Sequence, residues 1–362
     1  MKMSIIRAGL LAYTTVLNGL VDRGREVPAR VLIGQLPSLK MMSIRYIVTQ
    51  MTFDLCDVTG WPVMAPEAGG DDDKDWLSPP DIARESQRTD WWLFKSAKFG
   101  ELWARGGVRG GSYRRRDDQV EKIASHLAGL IGLPAARVEL ALRGSEEGII
   151  SKNVALVDWD LQPGNTYLSE FEGYLTCDTE PAQRPKNRVG HNLTNIGTLL
   201  SGLAGPPESV VEGWPAFDVF VGFLVFDAWI ANTDRHALNW GILSKGNELR
   251  LARSFDHGSS LGSGMSDMQI AELDTDEKVE SWCRRGMAHR FENGKKRTLV
   301  DLANEGLAQS SQLAWQWLDR IRNLDRGEWV EIIRSIPEMS EEARSFTDKV
   351  LVTNRKRLCD GN

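Results

Sequence analysis

Asp234, Asn239 and Asp256 are the residues of this chain whose types and spacing best suit chemistry. The first two lie in Asn232-Thr233-Asp234-Arg235-His236-Ala237-Leu238-Asn239-Trp240-Gly241, which runs into the apolar pair Ile242-Leu243. The third opens Asp256-His257-Gly258, after the stretch Leu249–Phe255. A carboxylate can accept or orient the proton of an attacking hydroxyl. An amide oxygen and a second carboxylate can hold Mg2+ against phosphates, because hard divalent cations prefer oxygen ligands. Asp234 and Asn239 are five residues apart, the same step as in the phosphoryl-transfer signature H-R-D-x-x-x-x-N, and D-H-G stands where D-F-G would follow. A turn at Gly246-Asn247 between two strands would bring both ends of the segment together. Asp or Asn alone in a loop is more often a turn or cap residue; the ordered set, bounded by apolar segments, is what points to phosphoryl transfer.

His236 and His257 raise an alternative, a two-His-one-carboxylate metal site. Their 21-residue separation matches no standard ligand spacing. His236 is therefore read as shaping the loop by packing and hydrogen bonding, beside the bound substrate. Lys95 closes the aromatic stretch Trp91-Trp92-Leu93-Phe94, and Glu121 lies on the helix that follows. A strand lysine paired with a helix glutamate is an arrangement that binds α- and β-phosphates. Lys98 and Lys122 compete for that role, and a lysine at a strand end is usually solvated surface.

Several elements must position these groups. Val120, Ile123, Ala124, Leu127, Leu130 and Ile131 recur at three- and four-residue steps, which predicts an amphipathic helix ended by Gly132 and Pro134. Val138–Leu142 and Gly148–Val157 read as two strands joined by a turn. Asn195–Leu203, Ala216–Ala231, Gln312–Asn323 and Ser340–Lys356 read as helices, the second apolar almost throughout and hence buried. The expectation is an α+β, protein-kinase-like bilobed fold, with a small β-rich N-lobe carrying one helix and a larger α-helical C-lobe. A nucleotide would sit in the crevice between them. The Gly/Arg segment 105–116 reads as a solvated loop, a phosphate-gripping loop or an R-G-G tract for RNA, in that order.

Composition sets the outer bounds. The chain has 362 residues, 41% of them hydrophobic and 26% charged, ordinary for a globular protein. Its thirteen tryptophans are expected mainly in the core and groove walls. A net charge of −6 argues against general nucleic-acid binding, although residues 1–50 carry +5 (seven Lys/Arg, two Asp/Glu), leaving −11 for the rest. Cys56, Cys177, Cys283 and Cys359 form no C-x-x-C pair, which fits reduced thiols in a cytoplasmic protein. No apolar run reaches the ~20 residues that span a bilayer, and Arg7 interrupts the apolar N-terminal stretch, so neither a membrane span nor a signal peptide is expected.

The motifs Asp234–Gly241 (D-R-H-x-x-N-W-G) and Ser254–Gly262 (S-F-D-H-G-S-S-L-G) resemble those of the HipA-like kinase family, particularly its compact bacterial members. The resemblance runs from about Trp91 to at least Arg290. It implies that Asp234 is catalytic, that Asn239 and Asp256 hold Mg2+, that Lys95 binds phosphate, and that the backbone of Ile150, Ser151 and Lys152 meets adenine. ATP, a protein serine or threonine and a regulatory partner protein are the implied partners. A small-molecule or lipid kinase and a nucleotide-sensing module are the alternatives. No regulatory-serine loop of the kind found in longer members is seen between Pro80 and Trp91, and Pro163-Gly164-Asn165 stands where related proteins carry His before Gly-Asn. On this reading residues 1–88 are an extension, partly flexible around the Pro/Gly/Asp-rich 64–90 and dispensable before Met51; residues 89–175 form the N-lobe and 176–362 the C-lobe.

Overall fold

The computed structural model describes residues 53–66, 74–104, 108–175 and 188–361, all within the unit Thr52–Asn362. The expectations for residues 1–50, for the centre of the Gly/Asp-rich stretch, for the tip of the Gly/Arg segment and for Cys177 lie outside the described residues.

A six-stranded sheet forms the N-terminal part, in the order β1-β7-β8-β4-β3-β2. Its strands are β1 (Cys56–Asp57), β2 (Val63–Pro66), β3 (Asp75–Leu77), β4 (Trp92–Ser96), β7 (Val138–Arg143) and β8 (Glu146–Lys152). Only β1 and β7 pair in parallel; the other neighbours are antiparallel. Between β4 and β7 the chain makes a hairpin, β5 (Phe99–Ala104) and β6 (Val108–Arg114), and then helix α1 (Asp117–Leu130). Of the periodic residues Val120, Ile123, Ala124, Leu127, Leu130 and Ile131, all are buried except Leu130, which is half-buried.

The expected start of the ordered body near Thr89 is corrected. Strands β1, β2 and β3 precede it and belong to the same sheet. Val58 and Leu77 are fully buried beside Trp92, Phe94, Ala141 and Ile150. Strands of two to four residues are too short to show a period of two, which is why they escape a reading based on alternation.

The C-terminal part is mainly helical. It contains α2 (Gly164–Leu168), α3 (Leu193–Leu200), α4 (Ala216–Trp229), α5 (Asp267–Ala271), α6 (Asp276–Arg284), α7 (Leu299–Gln309), α8 (Gln316–Arg322), α9 (Arg326–Arg334) and α10 (Glu341–Asp360). Every residue of α4 except Phe217 is buried, so this helix is the axis of the core. Its own Trp229 is fully buried, as are Trp240, Trp317 and Trp329 from elsewhere in the chain. Buried indoles need partners for their N–H groups: Trp229 Nε1 donates to Leu351 O at 3.1 Å and Trp317 Nε1 to Asp218 O at 3.0 Å. A small antiparallel sheet, β11 (Glu248–Leu251), β10 (Gly241–Lys245) and β9 (Asp160–Pro163), faces the larger sheet's connector. Among the described residues no helix is long and apolar enough to cross a membrane.

Helix α1 is fastened to the helical part at both ends. Arg116 donates from its backbone to Ser263 O at 3.0 Å, from Nη2 to Met265 O at 2.7 Å, and pairs with Asp267 at 2.8 Å. Arg320 Nη1 donates to Ile131 O at 3.0 Å, and Gln119 Nε2 to Pro337 O at 3.1 Å. The backbone of Phe53 donates to Ser335 O at 3.1 Å.

Because Leu77 is core rather than extension, Leu77→Ala is expected to cost about 2–5 kcal/mol. Urea unfolding followed by tryptophan fluorescence measures it; an extension residue would give a change near zero.

Candidate active site

Lys95, on β4, is the hub of the cleft. Its Nζ lies 2.9 Å from Asp256 Oδ1 and 3.2 and 3.3 Å from the two oxygens of Glu121 on α1. The structure thus brings together three of the residues singled out above, from a strand, a helix and a distant loop. Gly258 permits the approach: a Cβ there would meet Glu121 Oε2 at 3.1 Å. Burial opposes the charge on Lys95, but Asp256 and Glu121 outweigh it and raise its pKa. Burial also opposes ionisation of Asp256, yet Lys95 holds that carboxyl well below the usual range. Glu121 shifts the other way, raised chiefly by burial. Asp256 is therefore the firmly ionised member of the trio. It also adopts φ +60°, a left-handed conformation uncommon outside glycine, of a kind that clusters at functional sites.

Asp234 and Asn239 occupy the loop between α4 and β10, which is fixed from inside. The buried pair Asp227 and Arg235 is bidentate, with Nε and Nη2 each 2.8 Å from a carboxylate oxygen. Arg235 Nη1 then donates to Asn239 O at 2.6 Å and to Phe255 O at 3.3 Å. One guanidinium so ties α4 to the residue holding the amide and to the residue preceding Asp256. Asp227 also accepts from Asn232 Nδ2, and Asn232 Oδ1 accepts from the backbone of Asp234 at 3.1 Å. His236 Nδ1 accepts from Leu238 N at 3.2 Å, shaping the loop as expected. His257 is buried, bonds Ser254 Oγ at 2.7 Å and meets Phe226 edge-on; burial keeps its pKa well below the ordinary value, so it is a neutral packing residue.

Asn239 Nδ2 donates to Asp234 O at 2.9 Å, so the amide's nitrogen end is engaged within the loop. An amide oxygen with the ionised Asp256 is a donor set that fits a hard cation taking its other ligands from phosphate and water.

Two cations were missed by sequence reasoning. Arg290 Nε lies 2.6 Å from Asp234 Oδ1; it sits 56 residues away in an irregular segment, so no local pattern marks it. Lys74, next to β3, stands close enough for its charge to lower the pKa values of both Glu121 and Asp256. Of the competing lysines, Lys122 bonds Val138 O and Glu139 instead and lies over the Phe53 ring.

Ile150, Ser151 and Lys152, whose backbone was expected to meet adenine, form the end of β8. Strand β8 is paired along both edges, Ile150 with Phe94 and Glu139, Ser151 with Leu93 and Val138, and Lys152 N donates to Arg137 O. Ile150 and Ser151 are thus paired on both sides, while Lys152 ends the strand. The strand stops at Lys152 rather than Val157, and the connector Asn153–Trp159 leads from it to β9.

No protein-family model matches the sequence, and no curated protein matches it. Solved structures do match in shape. The Helicobacter pylori proinflammatory kinase CtkA aligns over 85% of this chain and 96% of its own, at 18% identity and a TM-score of 0.60. The chain thus has a kinase-like fold. Shewanella oneidensis HipA (11% identity, 74% of this chain and 66% of its own, TM-score 0.38) and the Mycobacterium tuberculosis PknI kinase domain (12%, 82% and 96%, 0.29) align too loosely to add weight.

Removing one partner of a buried pair leaves the other charge stranded. Arg235→Met is expected to cost about 3–5 kcal/mol in urea unfolding. A second expectation concerns pH. Burial, against a hydrogen bond to Arg290 O, lowers the pKa of His191 from 6.5 to about 4. A folded-state pKa below the unfolded value means that stability is fully present above about 6.5 and declines as pH falls towards 4, by roughly 3 kcal/mol for this group. Unfolding midpoints measured between pH 7.5 and 4.5 should fall more steeply in the wild type than in His191→Gln.

Proposed function

We propose that this chain is an ATP- and Mg2+-dependent phosphotransferase of the HipA-like kind, acting on a serine or threonine hydroxyl of a protein. The observation that carries the proposal is the convergence of Lys95, Glu121 and Asp256 at 2.9–3.3 Å beside a loop presenting Asp234 and Asn239. A kinase-like fold supports it.

In this reading Glu121 orients Lys95, whose ammonium binds the α- and β-phosphates. Asn239 and Asp256 would hold Mg2+, which supplies charge neutralisation at the phosphates. Asp234 orients the acceptor hydroxyl and takes its proton as the oxygen bonds to the γ-phosphorus and ADP departs. His236 keeps the loop in shape beside the nucleotide. The end of β8 at Ile150–Lys152 and the connector Asn153–Trp159 that follows it, where Ala155 packs with Leu243, Ala252 and Trp159, would meet adenine.

Incubation with γ-labelled ATP, Mg2+ and a generic protein acceptor tests the assignment. Wild-type protein should transfer label, and Asp234→Ala and Asp256→Ala should each reduce transfer by at least about 100-fold while thermal unfolding shows both folded. Nucleotide binding without transfer to protein would favour a small-molecule acceptor or a sensing module instead.

A further inference from the structure

Arg290 has no part in the scheme above, yet the structure invests heavily in where it stands. Its carbonyl accepts from His191 Nδ1 at 2.8 Å, and His191 Nε2 accepts from Trp240 Nε1 at 3.2 Å. The ring is therefore neutral, with its proton on Nδ1. It stacks on Phe291 at 4.4 Å between centroids. Next along the chain, Glu292 accepts from Gly190 N at 3.0 Å and Asn192 Nδ2 at 2.6 Å, while its own backbone donates to His191 O at 2.8 Å. Trp240 directly follows Asn239. The result is a closed circuit: Asp234, Asn239, Trp240, His191, Arg290 and back to Asp234.

A half-exposed ion pair contributes little stability. Arg290 and Asp234 are 26% and 24% exposed, while the seat beneath them is buried throughout: His191 at 3%, Phe291 at 3% and Trp240 at 0%. Such a foundation suits placing a cation better than making one more surface contact. The charge balance of the cleft agrees. Asp234, Asp256 and Glu121 lie around the place that the kinase reading gives to a triphosphate; Lys95 is already shared between two of them, and Lys74 acts on the same two. The acceptor side needs positive charge to collect the transferred group, and a guanidinium is well shaped to bind phosphoryl oxygens.

We infer that Arg290 binds the γ-phosphoryl group on the acceptor side of Asp234, bridging that carboxylate and the phosphoryl oxygens. This rests on the kinase reading. It gives Arg290 two successive partners: Asp234 alone before nucleotide arrives, then Asp234 and the phosphoryl group together.

The test compares wild type, Arg290→Gln and Arg290→Lys in the full chain with Mg2+. Calorimetry measures affinity for ADP and for a non-hydrolysable ATP analogue, single-turnover assays measure ATP cleavage, and thermal unfolding checks the fold. Arg290→Gln should weaken the analogue about tenfold or more, the effect of losing one charge-assisted hydrogen bond, with ADP changed by less than roughly threefold. Cleavage should drop about 100-fold, and Arg290→Lys should recover part of both. Equal changes for ADP and the analogue, or none for either, would reduce Arg290 to a prop for Asp234 and overturn the inference. Faster cleavage by Arg290→Gln would also overturn it, making the contact an inhibitory latch. Wild-type protein that binds no nucleotide would instead sink the kinase reading, on which the inference stands.

Discussion

The bidentate contact between Asp227 and Arg235 is the constraint on which the site depends. Both side chains are 2% exposed, and neither could be ionised there alone without a large desolvation cost. Together they convert the end of a buried helix into a fixed origin for the loop that follows. Arg235 then spends its remaining donor on two carbonyls, those of Asn239 and Phe255. Asp234, Asn239 and Asp256 consequently share one reference point, although 22 residues of chain and a hairpin separate the first from the last.

A second layer of organisation is electrostatic. Lys95 draws Glu121 and Asp256 to one point, but the two carboxylates respond oppositely: Asp256 is held ionised while burial pushes Glu121 towards its neutral form. Two full negative charges around a single ammonium would repel each other. With the proton affinities divided, the loop carboxylate is the firmly charged partner of the ammonium and the helix carboxyl is held towards its neutral form.

The chemistry-bearing loop was legible in the sequence because its spacing is local: Asp234 to Asn239, then the hairpin to Asp256. Glu121 could be placed because its helix has a clear period, and Lys95 because it closes a continuous aromatic run of strand type. The α1 face and the buried α4 followed from the same reasoning. Strands β1, β2 and β3 were not legible, since two to four residues give no alternation to read. Arg290 was invisible for a different reason. Its position comes from a stacking and hydrogen-bonding arrangement among His191, Trp240 and Phe291, which only the folded chain assembles.

The fastening of α1 has a mechanical consequence. Arg116, Gln119 and Arg320 bind the helix to the large helical body, whereas the sheet reaches that helix through side chains such as Lys122, Ser125 and Lys95. The helix is therefore held by the larger body at its ends and by the sheet along its length, and Phe53 ahead of β1 is itself bonded to Ser335 of the larger body. Two lysines, Lys95 reaching from the sheet to Glu121 and Lys122 reaching from the helix to Glu139, make the helix the wall that the sheet and the larger body share.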